Sequence, residues 1–188
     1  VLIIAIGSIA VGTITGSLEF IQKDITANWM QNDPASIALS LGSKGVDQNM
    51  VDTIRKFPEV DKIEGQLRES IKWRRSRDDE WKPATLRARE DYQDMELFSL
   101  QLRAGSWPRQ RGMSVNRGYG VAPGEKVYLF INDKERLVDV GGETWYMNAP
   151  PPNFGGNPAF FTTKEYFTDL TGQDEQTYLT ASVPGEYS

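Results

Sequence analysis

The 188-residue chain carries 21 Lys and Arg residues against 26 Asp and Glu residues, a net charge of -5. This acidic balance argues against a nucleic-acid partner, because affinity for phosphate backbones depends on clustered basic side chains. Cysteine and histidine are absent from the sequence, which excludes disulfides, thiolate metal sites, cysteine nucleophiles and histidine general bases. We therefore predict no catalytic, cofactor-binding or metal-binding residues.

The N-terminal segment Val1–Leu18 contains no ionisable side chain, and the first one is Glu19. A helix needs about 20 apolar residues to span the hydrocarbon core, so this segment indicates most of a transmembrane helix. Ser8, Gly12 and Gly16 recur every fourth residue, on one helix face that a neighbouring helix can approach closely. The apolar core of a signal peptide and a buried core helix are the alternatives.

Apolar residues continue the helical spacing beyond this segment, at Leu18, Ile21, Ile25 and Trp29. A signal peptide would instead end at a small-residue cleavage site. We expect one helix over residues 1–31 that leaves the bilayer as an amphipathic stalk. Pro34 lacks an amide donor, so a helix does not continue past it.

The next elements are predicted as strand, helix, strand, strand. Apolar residues alternate with small ones at 37–41, which is typical of a strand. Asp47 is a good N-cap for a helix that Pro58 ends. Even spacing of apolar residues predicts a long strand from Ile63 to about Arg75, which the charged turn RRSRDDE returns into a strand over Lys82–Arg89.

The second half is predicted to contain more strands than the first. Thr162 has capping-box spacing to Glu165, which predicts a short helix that Gly172 ends. Strands are predicted around it and before it, over Val127–Ile131, Arg136–Val140, 143–147, Ala159–Thr162 and Thr177–Val183.

Two aromatic residues are candidates for docking a partner. Trp73 lies in a basic cluster over Lys72–Arg77, a combination that nucleic-acid binders use, but the acids at 78–80 neutralise it and favour a solvated hairpin tip. Phe154 lies at the centre of the proline-rich loop 150–158. A rigid loop that covers the core would explain Phe154 equally well.

An acidic run could hold a divalent cation or act as paired carboxylates. The glycine and regular ligand spacing of a calcium loop are missing, so we predict a polar connection. A histidine-free hydrolase with two carboxylates is the alternative. The run consists of Glu90, Asp91, Asp94 and Glu96.

The order of these elements resembles the extracytoplasmic core domain of MacB-like and FtsX-like ABC transporter permeases. Four stretches carry the resemblance: SIAVGTITGSLEFIQKDITANW, VDTIRKFPEVDKIEGQ, LRAGSWP followed by GVAPGEKVYL, and FFTTKEYFTDLTG. It implies an α+β fold with two lobes on the membrane and stalk helix. A porter-like βαβ lobe would comprise residues 36–89 and 177–188, and a β-rich sabre-like lobe would be inserted at 92–174.

The resemblance also implies a role in the cell membrane, with the globular part extracytoplasmic. Such a domain transmits conformational change from membrane helices to the handling of a substrate or partner outside the cytoplasm. ATP hydrolysis belongs to a separate nucleotide-binding domain or subunit. The implied partners are that ATPase, a second permease copy or homologue, and a periplasmic adaptor or lipoprotein. A membrane-anchored binding module without transport activity is the alternative, and three further hydrophobic spans after Ser188 would favour the permease.

Overall fold

The structure is a computed structural model that describes residues 33–42, 44–146 and 148–185. Within these ranges, no helix combines the length and apolar character that crossing a bilayer requires. The predicted membrane-helix and stalk positions lie outside the described residues, and these are Ser8, Gly12, Gly16, Leu18, Ile21, Ile25 and Trp29.

The described part of the chain forms nine strands, two α-helices and one 3-10 turn at Pro152–Phe154. In chain order the elements are β1 (Ile37–Ser40), α1 (Gln48–Ile54), β2 (Lys62–Arg74), β3 (Lys82–Arg89), β4 (Gln101–Gly105), β5 (Gly112–Asn116), β6 (Lys126–Ile131), β7 (Lys134–Trp145), β8 (Ala159–Thr163), α2 (Lys164–Thr171) and β9 (Tyr178–Ser182).

The strands form one mixed sheet in the order β1-β9-β2-β3-β8-β5-β7-β4, and β6 pairs with β2 and β7. The pairs β3–β8 and β5–β7 are parallel, and the others are antiparallel. β2 changes partner along its length. Residues 62–66 pair with β9, whereas residues 67–73 pair with β3. The two ends of β2 therefore belong to different parts of the sheet.

Three hydrophobic clusters stabilise the sheet. The largest includes Leu67, Phe160 and Phe167 and lies on the face that α2 covers. A second cluster contains Phe161, the neighbour of Phe160, on the opposite face. β8 is therefore buried on both faces, as expected of a strand inside a covered sheet. The third cluster is small and joins Val51 of α1 to β2 and β9.

Local sequence explains how several elements begin and end. Asp47 accepts a hydrogen bond of 2.8 Å from the Met50 amide, the N-cap that the sequence predicts. Gly172 ends α2 with a φ of 77°, a conformation that favours glycine. Asn132 and Asp133 both have positive φ and form the two-residue turn between β6 and β7.

The long β2–β3 hairpin and the sheet-rich α and β composition confirm the sequence predictions at this level. The helix α2 is capped by Thr163 and not by Thr162, because Thr162 belongs to β8. β3 pairs with β8, and the largest cluster contains residues of both strands, although the resemblance implies that they belong to different lobes. The division into two lobes stays a prediction.

Candidate functional site

The two chain connections of the described fold, which are its first residues near 33–36 and its last residues near 182–185, lie at one end of β2. The Ser36 amide donates to the Ala181 carbonyl at 2.9 Å, and the Asp61 amide donates to the Ser182 carbonyl at 2.9 Å. Lys62, the first residue of β2, therefore lies beside both connections, and we call this region the proximal end. β2 has 13 residues, so at about 3.3 Å per residue its other end, the distal end, is about 40 Å away.

Three loops meet at the distal end, and together they form the distal surface. These loops are residues 75–81 between β2 and β3, 117–125 before β6, and 148–158 before β8. Arg75 donates to a Glu125 carboxylate oxygen at 2.8 Å, and the Tyr119 hydroxyl donates to the Pro150 carbonyl at 3.3 Å. Side chains therefore connect the three loops into one surface.

In the basic cluster at the hairpin tip, Arg74 is engaged by contacts with neighbouring elements of the same fold. The Arg74 guanidinium lies 4.3 Å from the Trp81 ring centroid and 5.5 Å from that of Tyr128. The same group donates to Glu135 at 2.5 Å and to the Arg77 carbonyl at 2.6 Å. Cation–π contacts and hydrogen bonds thus engage the guanidinium group that a polyanion would need to contact. This geometry fits the predicted tip better than a nucleic-acid site.

Glu125 fastens the loop 117–125 to the hairpin. The backbone amide of Ala122 donates to its carboxylate at 3.2 Å, and Arg75 donates to the second oxygen. These two donors lower the pKa of the Glu125 carboxyl below its ordinary value. The contact joins loops 50 residues apart in sequence, so no local pattern could have indicated it.

The proline loop presents Phe154 on a rigid backbone. Pro151 precedes the 3-10 turn, and Gly155 closes it with a φ of 75° and a hydrogen bond to the Pro152 carbonyl at 3.0 Å. A Cβ at Gly156 would lie 1.8 Å from the Pro150 carbonyl oxygen, so only glycine permits this close approach. Phe154 is 78% exposed. The loop therefore holds an aromatic ring in solvent.

A depression lies on each side of this loop. One, of about 600 Å³, extends toward Trp145 and Tyr146, and the other, of about 410 Å³, extends toward the β2–β3 hairpin. Gly118 and Pro152 line both. An aromatic side chain beside concave surfaces is a common arrangement at protein interfaces.

Trp73, the second candidate docking residue, belongs to the core. Its side chain is 7% exposed and packs edge-on against Phe160, with ring centroids 5.7 Å apart. The alternation of β2 explains this position, because Trp73 shares a strand face with Ile71 and Leu67. Of the two candidates, only Phe154 offers its ring to a partner.

The acidic run lines a depression of about 370 Å³ together with Arg55 and Arg89. Glu90 pairs with Lys164 at 3.1 Å, and Asp91 accepts from the Gln93 amide at 2.7 Å. Across the described ranges, no three acids are arranged to hold a metal ion. These contacts fasten a connection, and the depression alone assigns no reaction to Asp91, Asp94 and Glu96.

Neither a protein-family model nor a curated protein matches the sequence. The fold is nevertheless that of extracytoplasmic domains of ABC-type transporter permeases, which confirms the resemblance at the level of the fold. One similar structure is the extracellular domain of the noncanonical ABC-type transporter YknZ from Gram-positive bacteria. It has a TM-score of 0.52 and 10% identity, covering 82% of this chain and 82% of that chain.

A second similar structure is the periplasmic region of MacB from Actinobacillus actinomycetemcomitans. It has a TM-score of 0.50 and 10% identity, covering 79% of this chain and 74% of that one. The first of these structures is a domain of an ABC-type transporter, and the second is the periplasmic region of its protein. At such identity the similarity establishes the fold, and the function has to be argued from the geometry.

Proposed function

We propose that the chain is the extracytoplasmic domain of an ABC-type transporter permease and transmits movement of membrane helices to a substrate or partner outside the cytoplasm. The shared fold supports this assignment. The observation that carries it is the geometry of β2, which runs from the two chain connections to the distal surface. On this proposal the globular part is extracytoplasmic, and residues 1–31 join it to the cell membrane.

A continuous strand can transmit displacement because its backbone hydrogen bonds hold it to neighbours along its whole length. Thr177, the residue before β9, is hydrogen-bonded to β2 at the position where β2 changes partner. The Thr177 hydroxyl accepts from the Arg68 amide at 3.0 Å and donates to the Arg68 carbonyl at 2.9 Å. A displacement of the last strand at the proximal end is thereby applied to β2.

The proposal assigns the partners to the two ends. An ATPase subunit and a second permease copy or homologue act through the membrane helices on the proximal side. A periplasmic adaptor or lipoprotein contacts the distal surface, with Phe154 as the central residue of the contact. The predicted porter-like and sabre-like lobes would then move relative to each other about β2.

The first test is purification of the full-length protein from membranes under conditions that retain its complexes. We expect an ATPase subunit to accompany it in stoichiometric amounts. An ATPase whose co-purification depends on the membrane region of this protein supports the permease. Recovery of the protein from intact membranes with no ATPase contradicts it.

A second test replaces Phe154 with serine. An aromatic interface centre contributes about 2 kcal/mol or more, so the co-purified amount of the extracytoplasmic partner should fall at least about tenfold. Phe57→Ser is the matched control, because Phe57 is an exposed aromatic residue, 54% accessible, outside the distal surface. Equal partner recovery from both variants would remove Phe154 from the interface. The ATPase should remain bound in both.

A further inference from the structure

Two arginines face each other on neighbouring strands without a counter-charge. Arg68 of β2 is the direct cross-strand partner of Arg87 of β3. Residues in this arrangement have Cβ atoms about 5 Å apart on one face of the sheet, and like charges there repel. Arg89, further along the same face, pairs with Glu64 at 2.5 Å. Among the described residues, neither Arg68 nor Arg87 forms an ion pair.

The contacts of the two guanidinium groups do not neutralise their positive charge. Arg87 is 7% exposed, donates to the Tyr146 hydroxyl at 2.8 Å and lies 4.9 Å from the centroid of that ring. Its buried Nε has no hydrogen-bond partner. Arg68 is partly buried and lies 5.0 Å from the Tyr178 ring centroid. Tyrosine rings attract a cation but do not neutralise it.

Burial also affects the ionisation of Arg68. Desolvation, together with the nearby charge of Arg87, lowers the pKa of the Arg68 guanidinium. An arginine nevertheless remains protonated at neutral pH. The two positive charges are thus near enough to interact, and an anion bound beside Arg68 would relieve both the repulsion and the desolvation.

A groove gives access to Arg68. β9 pairs with residues 62–66 of β2 and β6 pairs with residues 72–74, so the edge between them has no strand partner, although the Thr177 hydroxyl bonds the Arg68 backbone there. A depression of about 580 Å³ lies there, lined by Arg68, Ser70, Ser40 and Thr177 among others. Glu69 also lines it, but its odd position in β2 directs it to the opposite face from Arg68.

We propose that Arg68 and Arg87 form a site for a phosphate-type oxyanion, which reaches Arg68 through this groove. A guanidinium fork matches the oxygens of a phosphate, and the charge of a second arginine favours a dianion over a monoanion. Ser70, next but one to Arg68 on the strand, lies in the same groove and can add a hydroxyl donor. The ligand is either a soluble phosphate monoester or the headgroup of an anionic phospholipid.

The experiment has a soluble arm and a lipid arm. In the first, the chain is titrated with inorganic phosphate and binding is followed by calorimetry. In the second, the chain in neutral detergent is titrated with short-chain phosphatidylglycerol, and short-chain phosphatidylcholine is the comparison lipid. Arg68→Gln should weaken binding by about tenfold or more, the effect of losing a charge-assisted contact. Arg103→Gln is the matched control, because Arg103 also stacks on an aromatic ring, 5.2 Å from the centroid of Trp145.

Arg68→Lys tests whether the positive charge alone is sufficient, because lysine keeps the charge but lacks the planar guanidinium fork. It should bind more weakly than the wild type and more tightly than Arg68→Gln, and circular dichroism verifies that all variants are folded. If Arg68→Gln weakens the binding of inorganic phosphate, the result supports a site for a phosphate monoester. If it weakens only the phosphatidylglycerol-dependent binding, the result supports a site for a lipid headgroup. Absence of saturable binding in both arms, or equal affinities of Arg68→Gln and Arg103→Gln, overturns the proposal.

Discussion

Replacing Glu64 with glutamine leaves a buried guanidinium without its counter-charge. Arg89 donates through one nitrogen to Glu64 at 2.5 Å and to the Leu97 carbonyl at 2.9 Å. The second Glu64 oxygen accepts from the Glu96 amide at 2.7 Å. The side chains of Arg89 and Glu64 are only 7% and 14% exposed. This pair therefore fastens the segment after β3 to β2 in a poorly solvated position.

The magnitude of the effect follows from this burial. Removing one member of a buried ion pair costs about 3–5 kcal/mol, because the remaining charge stays desolvated. Glutamine retains an oxygen that can accept a hydrogen bond, so we expect Glu64→Gln to lower the free energy of unfolding by about 3 kcal/mol, the lower end of that range. With a urea m-value of about 3 kcal/mol/M, the unfolding midpoint falls by about 1 M.

Urea unfolding followed by tryptophan fluorescence measures the shift. The matched control is Asp139→Asn, which breaks the exposed Lys126–Asp139 pair, whose side chains are 58% and 68% accessible. That variant should lose less than about 1 kcal/mol. Replacing Glu64 by Leu together with Arg89 by Met should recover part of the loss, because no charge stays buried but the Glu96 amide and the Leu97 carbonyl lose their partners. A loss for Glu64→Gln no larger than for Asp139→Asn would refute the assignment of a desolvated pair.

Two further outcomes are expected. Asp47→Ala should lower the free energy of unfolding by about 1 kcal/mol, because the Met50 amide loses its acceptor, and Asp47→Asn should restore most of it in the same urea experiment. NMR titration should give the Glu125 carboxyl a depressed pKa, so its contribution to stability is present above the ordinary value and is lost as pH falls through the folded value. Arg75→Gln should raise that pKa only part of the way, since the Ala122 amide still donates, and a pKa that does not change would contradict the contact.

The sequence predicted the long strands well because their apolar spacing is regular. Ile63, Leu67, Ile71 and Trp73 alternate along β2, and all four are buried. The same alternation explains why Trp73 is a poor docking candidate. Its place in the apolar set already indicated the core, and its basic neighbours lie on the other strand face or in the turn.

The sequence did not predict β4 and β5, which are short and contain few strand-forming residues. Pairing with β7 defines both of them, and such pairing is not visible locally. Separate strands are predicted over Arg136–Val140 and 143–147, yet β7 continues through Gly141 and Gly142 between them. A Cβ at Gly142 would lie 2.1 Å from the Ser106 carbonyl oxygen, so glycine here permits a close backbone approach.

The helix cap and the distal surface show the same limit of local patterns. Thr162 has the better capping-box spacing, but it is fully buried in β8, and its hydroxyl donates to the Gly112 carbonyl at 3.3 Å. Tertiary packing therefore shifts the cap to Thr163. Phe154 could be anticipated from its proline-rich loop, whereas the contact between Arg75 and Glu125 depends on the folded loops.

The position of β9 also determines when the protein can fold during synthesis. β1 and the first half of β2 take β9 as their strand neighbour, and contacts such as Thr180 to Glu64 span 116 residues. In a nascent chain, Val51 and Ile63 therefore cannot complete their cluster until Leu179 has been synthesised. The proximal end thus folds last, and a pause in synthesis before that strand would leave an apolar edge accessible to chaperones.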